Sequence, residues 1–360
     1  MHTAGYGNID QKLNQRFRDN YYQYNASTNL NMGKLMPKKW GVQLPVFVGY
    51  SENISNPQYD PFDLDVKYGD KLNAARDAAQ RDSIRKAAQD YTSITSVNFS
   101  NVRVLGNPEK PSSKTMPWSV KNFDVSYAYN RQFKRNPTIE SDELLNHKLG
   151  LGYTYSIKSK SIEPFKHVIK SKSKWMSLIK DFNLNLLPAN FTFRTDMTRI
   201  VNETKVRTIP GDIIAIPPPF YKNFTWIRDY TLRWELTRSL SFDYKATNTS
   251  RIDEPYGRID NGEKRDSLWD KIKTFGRNTF YTQSFNASYN LPLQKLPVTD
   301  WTNLRLQYGS TYSWTAASQL ARGLGNTIGN TQTKQANLEL QFTQLYNKNR
   351  WLRGVNQPKP

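Results

Sequence analysis

Polar and apolar side chains alternate along most of this chain, most regularly over residues 230–246. Tyr230, Leu232, Trp234, Leu236, Leu240, Phe242, Tyr244 and Ala246 share one parity, with Thr231, Arg233, Glu235, Ser241, Asp243 and Lys245 between them. A period of two sends successive side chains to opposite faces of a β-strand, so each strand has an apolar and a polar side. Thr237-Arg238-Ser239 can close a hairpin with Leu236 opposite Leu240. Trp234 then faces Phe242, Leu232 faces Tyr244 and Tyr230 faces Ala246. On the other side Arg233 meets Asp243 as an opposite-charge pair.

The same period predicts further strands. They run from Tyr22 through Met32, from Val42 through Tyr50, over Thr95, Val97 and Phe99, and from Phe123 towards Phe133. Others follow from Leu149 to Ile157, from Phe191 through Met197 and more weakly to Val206, from Tyr281 to Leu291, from Leu304 to Ala316, and from Ala336 to Phe342. The total is about eleven antiparallel strands, mostly about 9–14 residues long, against about 5–6 in ordinary soluble sheets. Residues 1–19 read as a polar opening segment. Over 70–91 the period changes: Ala74, Ala75, Ala78, Ala79, Ile84, Ala87 and Ala88 recur at helical spacing, which predicts a short helix inserted in a loop.

If every strand reverses direction, the joins at 37–40, 106–120, 158–188, 237–239 and 292–300 gather at one end. Those at 52–92, 132–143, 207–223, 253–279 and 317–331 gather at the other. The first set holds the tightest turns and the second is long and polar, the asymmetry expected of outer-membrane barrels with short periplasmic turns. The connection 158–188, rich in lysine, breaks that rule on the periplasmic side. Apolar alternation over 8–10 residues also fits the roughly 9–11 that a tilted strand needs to cross a bilayer. The competing architecture is a soluble β-sandwich that binds glycans or proteins outside the cell, which would produce the same alternation in shorter strands.

Composition narrows the chemistry. The 360 residues carry no cysteine, which excludes disulfides, thiolate metal sites and thiol catalysis. A net charge of +20 suits anionic lipid headgroups, nucleic acid or a solvated surface. Nucleic-acid binding is disfavoured because aromatics and charges take opposite strand faces, whereas a single-strand platform needs both together. Mean hydropathy is −0.75 and no apolar run approaches the length of a membrane-crossing helix, which is compatible with a barrel whose strands are half polar. The start has no basic segment followed by an apolar core, so the chain is expected to be an internal piece of a longer one. His2, His147 and His167 have no ligand-spaced partner, and the acidic pairs Asp142-Glu143 and Asp253-Glu254 read as loop charge. Nucleophile-elbow, zincin and phosphate-loop motifs are absent. No metal, cofactor or enzymatic activity is expected.

Several blocks resemble the C-terminal part of the SprA/Sov family, the outer-membrane translocon of the type IX secretion system of Bacteroidota. They include HTAGYG at 2–7, VGYSENISNPQYDPFDLDV at 48–66, RDSIRKAAQDYT at 81–92 and IEPFK at 162–166. FNLNLLPANFTFRTDMTRIVNET at 182–204, LTRSLSFDYKATNTSRIDEP at 236–255 and LGNTIGNTQTKQANLEL at 324–340 continue them in order. The resemblance implies that 1–360 is part of a very large barrel that exports folded cargo bearing C-terminal signals and supports gliding motility. It also implies a PorV-type shuttle barrel and a periplasmic plug protein as partners. On that footing Tyr230, Leu232, Trp234, Leu236, Leu240, Phe242 and Tyr244 are expected to face lipid. Arg233, Glu235, Asp243 and Lys245 are expected to face a wet lumen.

Overall fold

Antiparallel pairing in sequence order builds the frame of the protein. The computed structural model describes residues 2–6, 18–106, 116–157, 161–166, 168–169, 173–208 and 217–356. Its strands are β1 (His2–Tyr6), β2 (Arg18–Asn31), β3 (Val42–Gln43), β4 (Pro45–Pro57), β5 (Tyr59–Asp60), β6 (Asp63–Lys67), β7 (Asp90–Val104) and β8 (Phe123–Arg135). They continue with β9 (Ile139–Ser156), β10 (Asn190–Val206), β11 (Phe220–Glu235), β12 (Leu240–Arg251), β13 (Arg277–Leu291), β14 (Thr302–Thr315) and β15 (Thr327–Leu340). One 13-stranded sheet runs β1-β2-β4-β7 and then in order to β15, with β3 attached to β7. The first and last strands are not paired with each other, so the sheet is open. The second sheet among the described residues is the small β5–β6 ribbon, so no two-sheet sandwich forms.

Strands extend further than the apolar alternation alone marks. β7 begins at Asp90 and β9 at Ile139, because ladder bonds continue through positions where the apolar parity lapses. The turn between β8 and β9 is confined to 136–138, where Asn136 Oδ1 accepts the amides of Thr138 (3.0 Å) and Ile139 (2.7 Å). The long loop expected over 132–143 is therefore mostly strand, and the two ends of the sheet differ less in loop length than the sequence suggests. β1, within the segment read as a polar opening, pairs with β2 from His2 opposite Tyr22 to Tyr6 opposite Arg18.

Helices sit in the connections. The pattern over 70–91 forms α1 (Tyr68–Asn73) and α2 (Ala78–Ala88), interrupted where Asp77 caps α2. Asp77 accepts the Gln80 amide at 2.7 Å while Gln80 Oε1 accepts the Arg76 amide at 2.8 Å, a reciprocal cap. The 158–188 connection contains α3 (Ser177–Lys180) and folds back on itself through a bridge between Ile162 and Leu184. Lys158, Lys160, His167, Lys170 and Lys172 lie outside the described residues. α4 (Gly262–Lys273), capped by Asn261, lies in what reads as a long polar loop. α5 (Phe342–Tyr346) and α6 (Arg350–Asn356) follow the last strand.

The hairpin at 230–246 has the register that its alternation predicts: Tyr230 opposite Ala246, Leu232 opposite Tyr244, Arg233 opposite Asp243 and Trp234 opposite Phe242. Its turn is clasped by the returning arm of 158–188. Asn183 Oδ1 accepts the Arg238 amide at 2.7 Å, and the Asn185 amide donates to Leu236 O at 2.8 Å. Asn185 Nδ2 donates to Glu235 O at 2.6 Å, and Trp234 Nε1 donates to Asn185 O at 2.9 Å. Arg238 reaches Glu163 at 2.7 Å. Asn183 and Asn185 are only 7% and 6% exposed, so the arm is seated rather than draped.

Asn185→Ala removes a buried amide that donates to the Glu235 carbonyl. It is expected to destabilise the folded chain by about 1–3 kcal/mol, read as a lower urea midpoint in detergent. An unchanged midpoint would show that the clasp does not hold the turn.

Candidate functional site

Cross-strand partners share a face, so the register assigns every strand residue to one of two surfaces. The aromatic positions of the hairpin continue on one of them. Phe191 and Phe193 lie opposite Leu232 and Tyr230, and Tyr155 and Tyr153 lie opposite those two phenylalanines. Ring contacts tie strands together: Phe123 with Tyr153 at 4.9 Å between centroids, Phe193 with Tyr230 at 5.0 Å, and Phe242 with Phe285 at 5.8 Å. Val48, Val125, Leu149, Leu306 and Leu338 on this surface are exposed. Large apolar groups are thus open on one side of the sheet over much of its width, more than a soluble monomer ordinarily presents.

These residues form a slanted band. Following partners from Val48 leads through Val97, Tyr129, His147 and Arg199 to Phe224. Val48 is central in the apolar run of β4, but the apolar run of β11 is centred near Leu232, eight residues beyond Phe224. In the other direction Leu232 leads through Tyr244, Phe285 and Ser310 to Gln332, while the apolar run of β15 is centred near Leu338. With about 3.3 Å per residue and about 4.8 Å per strand, the first displacement, over five strand steps, inclines the strands by roughly 45° to the normal of the band. Transmembrane barrel strands tilt by about 35–45°.

A row of polar groups borders the band. Glu52, Arg131, His147, Arg199, Arg228, Asn248, Gln283 and Lys334 occupy the apolar parity of their strands, each about four to six residues from the local centre. At that tilt the row stands about 12 Å from the midline, half of the roughly 25 Å apolar belt of outer-membrane barrels. In sequence each residue looks like a lapse in alternation; only the register aligns them. His147, whose Nδ1 lies 3.0 Å from the Tyr127 hydroxyl, belongs to this row.

Beyond the row the strands continue, and there helices cover the same face. Leu268 and Ile272 of α4 and Met197 pack on Phe224, Trp226 and Ile252. The acidic pair after β12 anchors this covering. Glu254 receives a two-pronged bond from Arg199 at 2.6 and 2.7 Å, and Lys222 lies 3.5 Å away. Asp253 is held by Arg277 at 2.9 and 3.2 Å. These carboxylates, read from sequence as loop charge, are structural fasteners. Phe275, at φ 61°, holds a left-handed backbone while its ring lies 5.3 Å from Trp226 and from the Arg228 guanidinium.

The opposite surface is rich in hydroxyls, amides and charges of both signs. Arg194 bonds Asp196 at 2.7 Å, and Thr247 donates to Asp229 at 2.6 Å. Gly152 leaves room for a neighbouring carboxylate, since a Cβ there would lie 2.3 Å from Asp124 Oδ1. Arg233, Glu235, Asp243 and Lys245 are all on this surface and exposed. Arg233 faces Asp243 in register, but its ion pair is with Glu235 at 3.4 Å. Tyr230, Leu232, Trp234, Leu240, Phe242 and Tyr244 share the other surface and are half-buried in the chain alone, as is Leu236 at the turn.

Residues 1–72 match the family model SprA_N, described as a motility related/secretion protein. The matched stretch spans β1 to β6 and the start of α1, and over it the chain is similar to motility-related secretion proteins. No curated protein matches the chain.

The Arg277 bond holds the Asp253 carboxyl below the usual carboxylate range. A depressed folded-state pKa contributes stability that is complete above the unfolded value, about 3.9, and is lost as pH falls through the folded value. Amide exchange in 262–273, corrected for its intrinsic pH dependence, is expected to accelerate below about pH 4. In Arg277→Gln that acid-dependent step should largely vanish.

Proposed function

We propose that this sheet is a section of the wall of the outer-membrane protein-conducting channel of the type IX secretion system. The observation that carries the reading is the apolar band, which crosses the sheet at a barrel-like slant, with a polar surface behind it. A soluble sheet would need a second layer over that band; lipid supplies one. The amino-terminal match to motility-related secretion proteins supports the secretory role. The correspondence to a carboxy-terminal portion of a longer translocon rests on the collinear blocks quoted above.

The mechanism is passive. A wall rich in serine, threonine, asparagine, glutamine and paired charges keeps water bound and gives a folded cargo little apolar surface to adhere to. No bond is made or broken, so the wall works without catalysis. Among the described residues β1 and β15 are the edges of the sheet, and their outer ladder groups are open to further strands, which a wide pore requires and an isolated open sheet cannot satisfy. The polar row sets one membrane boundary, and the strand extensions covered by α2 and α4 stand outside it on the cell-surface side. A PorV-type shuttle barrel and a periplasmic plug protein are the partners this reading brings with it, and cargo with C-terminal signals is what passes.

These 360 residues contain no cysteine, so they add no background to a single-site label. Spin labels at Leu232→Cys and Arg233→Cys, in the full-length protein in bilayers, test the faces. Label 232 is expected to be relaxed by oxygen and label 233 by a water-soluble nickel chelate. Reversed accessibilities, or a protein that stays monodisperse without detergent, would refute the wall.

A further inference from the structure

Between α2 and the sheet lies a cleft of about 810 Å³ that the channel wall does not use. It is on the apolar-band face. Tyr24, Tyr50 and Tyr91 contribute aromatic surface, and Arg85, Arg131 and Arg135 contribute guanidinium groups. Arg131 is neutralised by Glu143 at 2.6 Å. Arg85 and Arg135 have no ion pair among the described residues. Arg135 instead lies over the Tyr91 ring, 4.6 Å from its centroid, with Nη2 3.5 Å from Gln89 Oε1. Its Nε is shielded from solvent without a hydrogen-bond partner.

Two carboxylates also border the cleft, Glu52 and Asp82, and Asp82 is occupied by Lys86 at 2.6 Å. The cleft therefore keeps a positive balance beside a membrane surface. Guanidinium forks bind phosphate oxygens in pairs, and partial desolvation strengthens the bond. The floor of the cleft continues directly into the band: Tyr50 precedes Glu52 by one alternation, and Val48 follows on the same face at the midline. An occupant must be anionic at the helix side and apolar towards the band.

We propose that this cleft holds the phosphate-bearing headgroup of a membrane lipid, its acyl chains lying along the band beside Tyr50 and Val48. The proposal rests on the band facing lipid. Arg85 on α2 and Arg135 at the end of β8 grip the phosphate, and the tyrosines floor the rest of the headgroup. α2 thereby acquires a reason for its basic surface: it closes a lipid site over the margin of the wall.

The test uses the full-length protein in dodecyl maltoside and native mass spectrometry. The probes are diphosphoryl lipid A, the same lipid stripped of phosphate, and the deacylated phosphorylated disaccharide. One diphosphoryl lipid is expected to be retained per chain, with at least tenfold weaker retention of the dephosphorylated lipid and of the deacylated sugar. Arg85 is exposed on its helix, so Arg85→Gln should fold normally and weaken retention several-fold; adding Arg135→Gln should abolish it. Lys245→Gln, on the polar surface, should change nothing. Equal retention without phosphate, or undiminished retention by Arg85→Gln, would overturn the site. Equal binding of the deacylated sugar would make the ligand soluble and overturn the lipid assignment. Labels at 232 and 233 read the wall separately, so a lipid-facing Leu232 without phosphate-dependent retention condemns the cleft alone.

Discussion

A single sheet has two faces and no interior. That constraint governs everything else in this protein. Backbone groups are satisfied sideways, strand to strand, so the ladder can extend across twelve strands without a core beneath it. Stability must then come from what lies against each face. Among the described residues the fully shielded apolar cluster is small: Phe224, Trp226 and Ile252, capped by α4. Among the described residues, much of the apolar band elsewhere is open, with Val48, Val125, Leu149 and Leu338 exposed. Such a surface is untenable in water and natural against hydrocarbon, and the proposed membrane setting follows from that contrast.

The ends of the sheet solve a different problem. Outside the band, polar bonding in a wet environment has to hold loops in place, and the protein uses buried amides and carboxylates for it. At one end Asn183 and Asn185 cap the hairpin turn mainly through its backbone groups, with the Trp234 indole adding one bond. At the other, Glu254 and Asp253 each take a two-pronged arginine, and the pairs fix the start of the segment that carries α4. The Glu254 carboxylate, 1% exposed, is stable only while paired, because an unmatched charge there would have to be desolvated alone. The charges sit where water can still reach part of the pair, and they stop where the band begins.

Much of the fold was legible in the sequence because a β-strand encodes its two faces in a period of two. Leu232, Trp234, Phe242 and Tyr244 declared their shared side before any pairing was known, and Thr237 to Ser239 were enough to set the register. The polar row was not legible. Arg131, Arg199 and Arg228 are single interruptions in three separate strands, and nothing local says that they stand at one height. Nor was the role of Asp253 and Glu254, since their arginine partners lie on other strands. The long 158–188 connection had no evident purpose until its asparagines were found against the hairpin turn, and α4 was hidden in a polar stretch whose apolar residues, Leu268 and Ile272, are few.

What periodicity and short connections carried is most of the long strands, their antiparallel order and the chemical character of each face; the short strands β1, β3, β5 and β6 were not among them. Only the tertiary structure decided the slant of the band, the alignment of the polar row and the fastening of the two ends. Those depend on the stagger accumulated from strand to strand, and stagger is a sum of many registers that no single segment carries. The hairpin at 230–246 shows both sides of this: its pairing is local, whereas the place of Leu232 at the middle of the band and of Arg228 at its edge is set by the registers of the neighbouring strands.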